Sequence, residues 1–109
     1  MNGVRVGNKT VSEASPTYLI AEIGINHNGD IEIAKKLIDE SVKAGFDAVK
    51  FQKRTVEIVF TKEELLRPRE SVFGDTNGAL KNGLEFGLAE YREIAKHCKN
   101  LGIDWFASP

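Results

Sequence analysis

The stretch at residues 18–52, YLIAEIGINHNGDIEIAKKLIDESVKAGFDAVKFQ, decides the fold class. Residues 18–25 are apolar on both faces apart from Glu22, the pattern of a parallel strand buried under helices. Asn26-His27-Asn28-Gly29 breaks that run, and Asp30 is placed to cap a helix N-terminus. Over residues 31–44, Ala34, Leu37, Ile38, Ser41 and Val42 fall on one stripe at the helical period. Glu32 with Lys36 and Asp39 with Lys43 stand four apart, acid first, the favourable order for surface pairs. Gly45 supplies the left-handed residue that closes a helix. Residues 46–52 then read as a second strand, so the stretch is one βαβ unit.

Outward from it, the pattern recurs. Leu88, Tyr91, Ala95, Cys98 and Leu101 make a second helical stripe, closed by Gly102, and residues 103–108 follow as a third strand. Ala44-Gly45-Phe46-Asp47-Ala48-Val49 and Leu101-Gly102-Ile103-Asp104-Trp105-Phe106 share the form apolar-Gly-apolar-Asp-apolar-apolar. Two helix-to-strand turns built alike point to a repeated β/α architecture. Upstream, Val4-Arg5-Val6 and Lys9-Thr10-Val11 flank Gly7-Asn8, a hairpin signal ended by Ser15-Pro16. The chain divides into a hairpin over residues 1–15 and a β/α body over residues 16–109.

Residues 53–87 form a long connection. Thr61 with Glu64 is the capping box of a short helix that Pro68 ends, and Gly74-Asp75-Thr76-Asn77-Gly78 reads as turn. Six basic residues (Lys53, Arg54, Lys62, Arg67, Arg69, Lys81) are matched by six acidic ones. Connections this long are functional or disordered rather than idle; Phe60, Leu65, Leu66, Val72 and Phe73 let this one order itself.

Composition bounds the function. Fifteen Lys and Arg against sixteen Asp and Glu give a net charge of -1, which argues against nucleic-acid binding or a polybasic membrane surface. One cysteine, Cys98, excludes an internal disulfide framework and a Cys-rich zinc site. The apolar runs fall far short of the ~20 residues that span a bilayer, and the N-terminus has no apolar signal region. The expectation is a cytoplasmic chain.

Side chains alternate across a strand. Ile20, Glu22 and Gly24 share one face, as do Ala48, Lys50 and Gln52, and Asp104, Phe106 and Ser108. The opposite faces carry Leu19, Ala21, Ile23, Val49, Phe51, Ile103, Trp105 and Ala107, suited to packing against helices. One apolar face and one with polar groups toward the strand C-termini fit a barrel, whose site lies at that mouth. An open doubly wound sheet would be apolar on both. Glu22 and Lys50 are either a structural ion pair between strands or part of a polar site with Gln52 and Ser108. In the second reading the lysine and hydroxyl receive an anion while the carboxylate moves protons or orients water. The ion pair alone is weak reason to bury two charges. His27 has no second ligand at metal spacing and reads as a loop histidine with structural hydrogen bonds. His97 reads as exposed. Gly24-x-Asn26-x-x-Gly29 lacks the middle glycine of a dinucleotide fingerprint. Phe51, Trp105 and Phe106 read as core.

Ala21-Glu22-Ile23-Gly24-Ile25-Asn26-His27-Asn28-Gly29, Val49-Lys50-Phe51-Gln52 and Phe106-Ala107-Ser108-Pro109 resemble the N-terminal third of the N-acetylneuraminate (sialic acid) synthase family. The resemblance runs from about Val4 to the last residue. It implies a (β/α)8 TIM barrel of which this chain supplies three strands and two main helices, truncated after the third strand and preceded by the hairpin. The implied reaction condenses phosphoenolpyruvate with an N-acetylated aldose, typically N-acetylmannosamine, giving a nonulosonic acid and phosphate. Carried over by motif, Lys50 binds phosphoenolpyruvate and Ser108 its phosphate, although many relatives have Thr at the latter place. Glu22 lies beside the reacting carbons, and Gln52 contacts the sugar. The catalytic residues are thus Glu22 and Lys50, and the substrate-binding ones Lys50, Gln52 and Ser108. The resemblance also implies a divalent metal, Mn or Mg, whose ligands lie outside this stretch, and a homodimer at full length; the stretch alone is expected to be inactive. Two other readings stay open, a non-catalytic α/β interaction module that pairs its open strand edges, and another phosphoenolpyruvate-using aldol synthase.

Overall fold

The computed structural model describes residues 2–109. In chain order the elements are β1 (Val4–Val6), β2 (Lys9–Val11), β3 (Ile20–Gly24), α1 (Ile31–Lys43), β4 (Ala48–Gln52), α2 (Val56–Val59), α3 (Lys62–Leu66), β5 (Pro68–Ser71), β6 (Gly74–Thr76), α4 (Asn77–Leu84), α5 (Leu88–Leu101) and β7 (Asp104–Ser108). β3, β4 and β7 form a parallel sheet in that order. β1 with β2, and β5 with β6, are separate antiparallel pairs. The α/β class and the three-stranded parallel sheet follow the expectation. The second hairpin and helices α2 and α4 lie inside the stretch read as a long connection.

Local chemistry explains the first unit. The Asp30 side chain accepts the amides of Glu32 and Ile33, a cap worth about 1 kcal/mol. Ala34, Ile38 and Ser41 are buried along α1, and Leu37 and Val42 pack partly buried against the same core. Gly45, at φ 88°, takes the left-handed turn past the helix end. The i,i+4 pairs do not form. Lys35 meets Glu32 at 3.7 Å and Lys43 meets Glu40 at 3.3 Å, each one turn back at i,i+3. Lys35 also reaches Glu93 on α5 at 4.0 Å, a partner that local spacing does not reveal.

α5 departs from its expected stripe. Ile94 and Cys98 are fully buried, while Leu88 is 67% exposed and Leu101 is exposed too. α5 packs against α1 with Ile94 and Cys98 inward, and His97 meets that helix: its Nε2 lies 2.7 Å from Asp39 Oδ1, and its side chain is 26% exposed. The expectation of an exposed His97 is therefore corrected.

α1 and α5 cover one face of the sheet. Ile23, Ala34, Ile38, Val49, Phe51, Phe86, Ile94, Cys98 and Ile103 form one core between them. Burial pushes the Cys98 thiol up to about 12, so it is an inert core group. The other face is largely bare, with Ile20 and Phe106 exposed; Phe106 is not a core residue, unlike Phe51. The radius of gyration is 16.6 Å, against about 13 Å for a compact chain of this size, and the molecule is elongated, 54 × 26 × 21 Å.

Candidate functional site

The bare face carries the charges. β3 and β4 run in register with Glu22 opposite Lys50, and β4 and β7 with Lys50 opposite Phe106 and Gln52 opposite Ser108. Lys50 Nζ stands 3.2 Å from Glu22 Oε2, with side chains 33% and 49% exposed. The ion pair therefore exists, and it is open to solvent rather than locked in the core. A solvated pair of this kind contributes little stability, so stability does not account for charges in mid-sheet.

The ladder breaks just after Glu22. A register shift sets Gly24 opposite Phe51, so Ile23 and Gly24 together face one residue. Ile23 is tucked into the core and Gly24 turns with φ 58°. A Cβ on Gly24 would lie 3.1 Å from Glu22 Oε1 and 3.5 Å from Gln52 Nε2. Glycine thus lets the carboxylate and the amide approach one another across the face. Lys50 and Gln52 stand two residues apart on one strand, about 7 Å along it, so the cation, carboxylate, amide and Ser108 form one polar surface.

Around this surface the loops interlock. His27 is buried, its ring stacked on Phe86 with centroids 3.8 Å apart, and its Nδ1 accepts the Gly29 amide at 3.0 Å. Desolvation lowers its pKa below the ordinary 6.5, with the nearby Glu85 charge opposing. The structural reading of His27 thus fits its surroundings. Among the described residues no three His, Cys, Asp or Glu side chains gather as a metal cage. The Tyr91 hydroxyl donates to the Gln52 carbonyl at 3.1 Å, and the Lys53 amide donates to the Ser108 carbonyl at 2.9 Å. Burial, and then Glu85, push the Tyr91 hydroxyl up to about 12, which keeps it a neutral donor. Glu85 and Phe86 carried no sequence signal beyond their place at the end of a long connection.

The opposite end of the sheet is built differently. Asp104 does share the face of Phe106 and Ser108, but it sits at the N-terminal end. It accepts the Tyr18 hydroxyl at 2.8 Å and the Asn8 side-chain amide at 2.8 Å. A groove of about 820 Å³ runs from there along β7, lined by Val6, Tyr18, Ile20, Trp105 and Phe106 among others, and none of Glu22, Lys50, Gln52 or Ser108 lines it. No helix among the described residues is long and apolar enough to cross a membrane.

Comparison with known proteins bears on this geometry. Residues 37–109 match the NeuB family. The N-acetylneuraminate-9-phosphate synthase of Drosophila melanogaster is 45% identical over 93 residues, covering 84% of this chain and 25% of that protein. The N,N'-diacetyllegionaminic acid synthase of Campylobacter jejuni is 33% identical over 96 residues, covering 85% of this chain and 29% of that protein. Among solved structures, the N-acetylneuraminic acid (sialic acid) synthetase of Leptospira borgpetersenii, in complex with citrate, superposes with a TM-score of 0.77 at 28% identity. That match covers 99% of this chain and 34% of the other. The chain spans 25% to 34% of the length of these relatives.

Proposed function

The chain belongs to the NeuB family, and on that premise we propose that it forms the first part of a (β/α)8 barrel that makes a nonulosonic acid. The reaction joins phosphoenolpyruvate to the aldehyde carbon of an N-acetylated aldose, typically N-acetylmannosamine. C3 of phosphoenolpyruvate attacks the aldehyde, water adds at C2, and the tetrahedral intermediate collapses with loss of phosphate.

The observation that supports this reading is the solvent-open pair of Glu22 and Lys50 at 3.2 Å on the face away from the helices, two residues before Gly24 and Gln52 at the strand C-termini, the side where barrels keep their chemistry. Lys50 offers a cation to the carboxylate and phosphate of phosphoenolpyruvate, and binding it pulls the ammonium from Glu22. The freed carboxylate is then placed to take a proton from the incoming water or to orient it. Gln52, beside Gly24, offers both a donor and an acceptor to sugar hydroxyls. Ser108, next to Gln52 in register, donates to the phosphate. A divalent metal, Mn or Mg, would polarise the aldehyde from ligands supplied elsewhere in a full-length chain, and a homodimer is the proposed assembly.

The test is phosphate release by the full-length protein from phosphoenolpyruvate with N-acetylmannosamine, and separately with its 6-phosphate. Turnover with either supports the reading, and the preferred one names the acceptor class. Absence of turnover with every N-acetylated aldose tried, metal added, sinks it.

A further inference from the structure

The long segment between β4 and α5 is fastened to the exits of both site-bearing strands by two adjacent residues at its far end. Glu85 receives Arg54, two residues past Gln52: Arg54 Nε donates to Oε1 at 3.2 Å and the Arg54 backbone amide to Oε2 at 3.1 Å. Both carboxylate oxygens are used on one partner, and the two side chains are only 14% and 10% exposed. Lys53 Nζ adds a weaker contact at 3.8 Å. Phe86 stacks on His27 in the turn after β3, and meets Tyr91 edge-on with centroids 6.0 Å apart. Tyr91 in turn holds the Gln52 carbonyl. The polar exit of β4 and the turn after β3 therefore share one anchor.

The guanidinium is enclosed. Its Nη2 is buried without a hydrogen-bond partner, and its Cζ lies 5.5 Å from the Phe60 ring centroid, with Lys81 Nζ 5.0 Å from the same centroid. Removing one partner from a half-dry charge pair leaves the other charge stranded, so this contact is costly to break. Such cost is what holds a strand end in one position.

We propose that Arg54 and Glu85 are positioning residues for the condensation, fixing where Gln52 and Lys50 stand relative to Glu22, an inference that rests on the proposed synthase reading. Their effect passes through the backbone from Arg54 to Gln52 and through Tyr91 to the Gln52 carbonyl. A misplacement of about 1 Å at a reacting centre costs on the order of a hundredfold in rate, so loosening one anchor should cost about tenfold.

The experiment compares Glu85→Gln, Arg54→Lys and Ile94→Val in the full-length protein. Ile94 lies in the core beneath the sheet and serves as a control for lost stability alone. Glu85→Gln should lower kcat about tenfold at a temperature where the fold is intact, with Arg54→Lys intermediate and Ile94→Val within about twofold of the parent despite a lower Tm. Backbone hydrogen exchange, read on the peptide covering residues 50–54, should speed up in Glu85→Gln and not in Ile94→Val. That readout needs no turnover, so it tests the anchor even if the parent condenses nothing. Unchanged exchange in residues 50–54, or a kcat for Glu85→Gln matching that of Ile94→Val, overturns the proposal. If Glu85→Gln does not fold, Arg54→Lys carries the same two outcomes.

Discussion

The two ends of the parallel sheet use the same residue types to opposite ends. At the N-terminal end, Asp47 and Asp104 occupy equivalent places in the two repeated turns, and the fold satisfies both. Asp47 accepts the Leu19 amide at 2.7 Å and pairs with Lys9 at 3.4 Å, and the backbone hydrogen bond, ahead of the lysine, holds its carboxyl below the usual range. Asp104 holds Tyr18 and Asn8, and burial with this bond pushes the Tyr18 hydroxyl up to about 12. Further along the strands, toward the C-terminal end, Glu22 and Lys50 have each other and solvent. Carboxylates that bind backbone and hydroxyls assemble the fold, whereas a carboxylate left with one half-exposed cation stays open to solvent.

That contrast separates kinetic from structural mutants. The largest effect belongs to Glu22→Gln in the full-length protein, which should lower kcat on the order of a thousandfold, the range of positioned acid–base groups, with little change in KM for phosphoenolpyruvate. An unaffected kcat would reduce Glu22 to an ion-pair partner. Next comes Lys50→Ala, expected to raise that KM on the order of a hundredfold through loss of a charged hydrogen bond; a KM within twofold of the parent removes Lys50 from the anion site. Asp104→Ala should do the reverse, costing about 2 kcal/mol of stability by chemical denaturation for the bonds it loses, with both kinetic constants unmoved. A kinetic defect there would erase the division between the two ends.

The smallest effect is in pH dependence, and it sharpens the comparison from within the functional end. Because His27 is buried with a lowered pKa, the unfolded chain binds the proton at higher pH than the folded one. Stability should therefore fall as pH drops from 6.5 toward the folded value and level off below it, with a slope of at most about 1.4 kcal/mol per pH unit. His27→Phe should flatten that segment of the curve; a parallel curve would place the proton elsewhere.

The βαβ unit and the site face were legible because their signals are local. Asp30, the Ala34–Ile38–Ser41 stripe and Gly45 each report on neighbours a few residues away, and alternation alone set Glu22, Lys50, Gln52 and Ser108 on one face. The register joins Glu22 to Lys50 and Gln52 to Ser108, as that reading needs. What stayed hidden depends on distant partners. Helix α4 contains Gly78 and Gly83, poor helix formers, and forms because Thr76 accepts the Ala79 amide at 3.1 Å while Phe73 lies on Gly83. Half of the Thr61 capping box is made, with Thr61 accepting the Glu64 amide at 3.1 Å, but the Glu64 side chain turns to Asn77 instead. His97 and Asp39 meet across two helices. Arg54 and Glu85 lie 31 residues apart with no periodic link between them.

The extra residue at Ile23 and Gly24 has a consequence for anyone redesigning this face of the sheet. In an unbroken ladder, removing one residue would simply exchange the two faces of the strand. Here the ladder is already offset after Glu22, with Ile23 unpaired and both Ile23 and Gly24 buried. Variation in chain length at residues 22–25 would therefore swing the following turn, and His27 with it, away from Phe86. Libraries should hold that length and the Gly24 backbone constant and diversify Gln52 and Ser108, which pair with each other without such an offset.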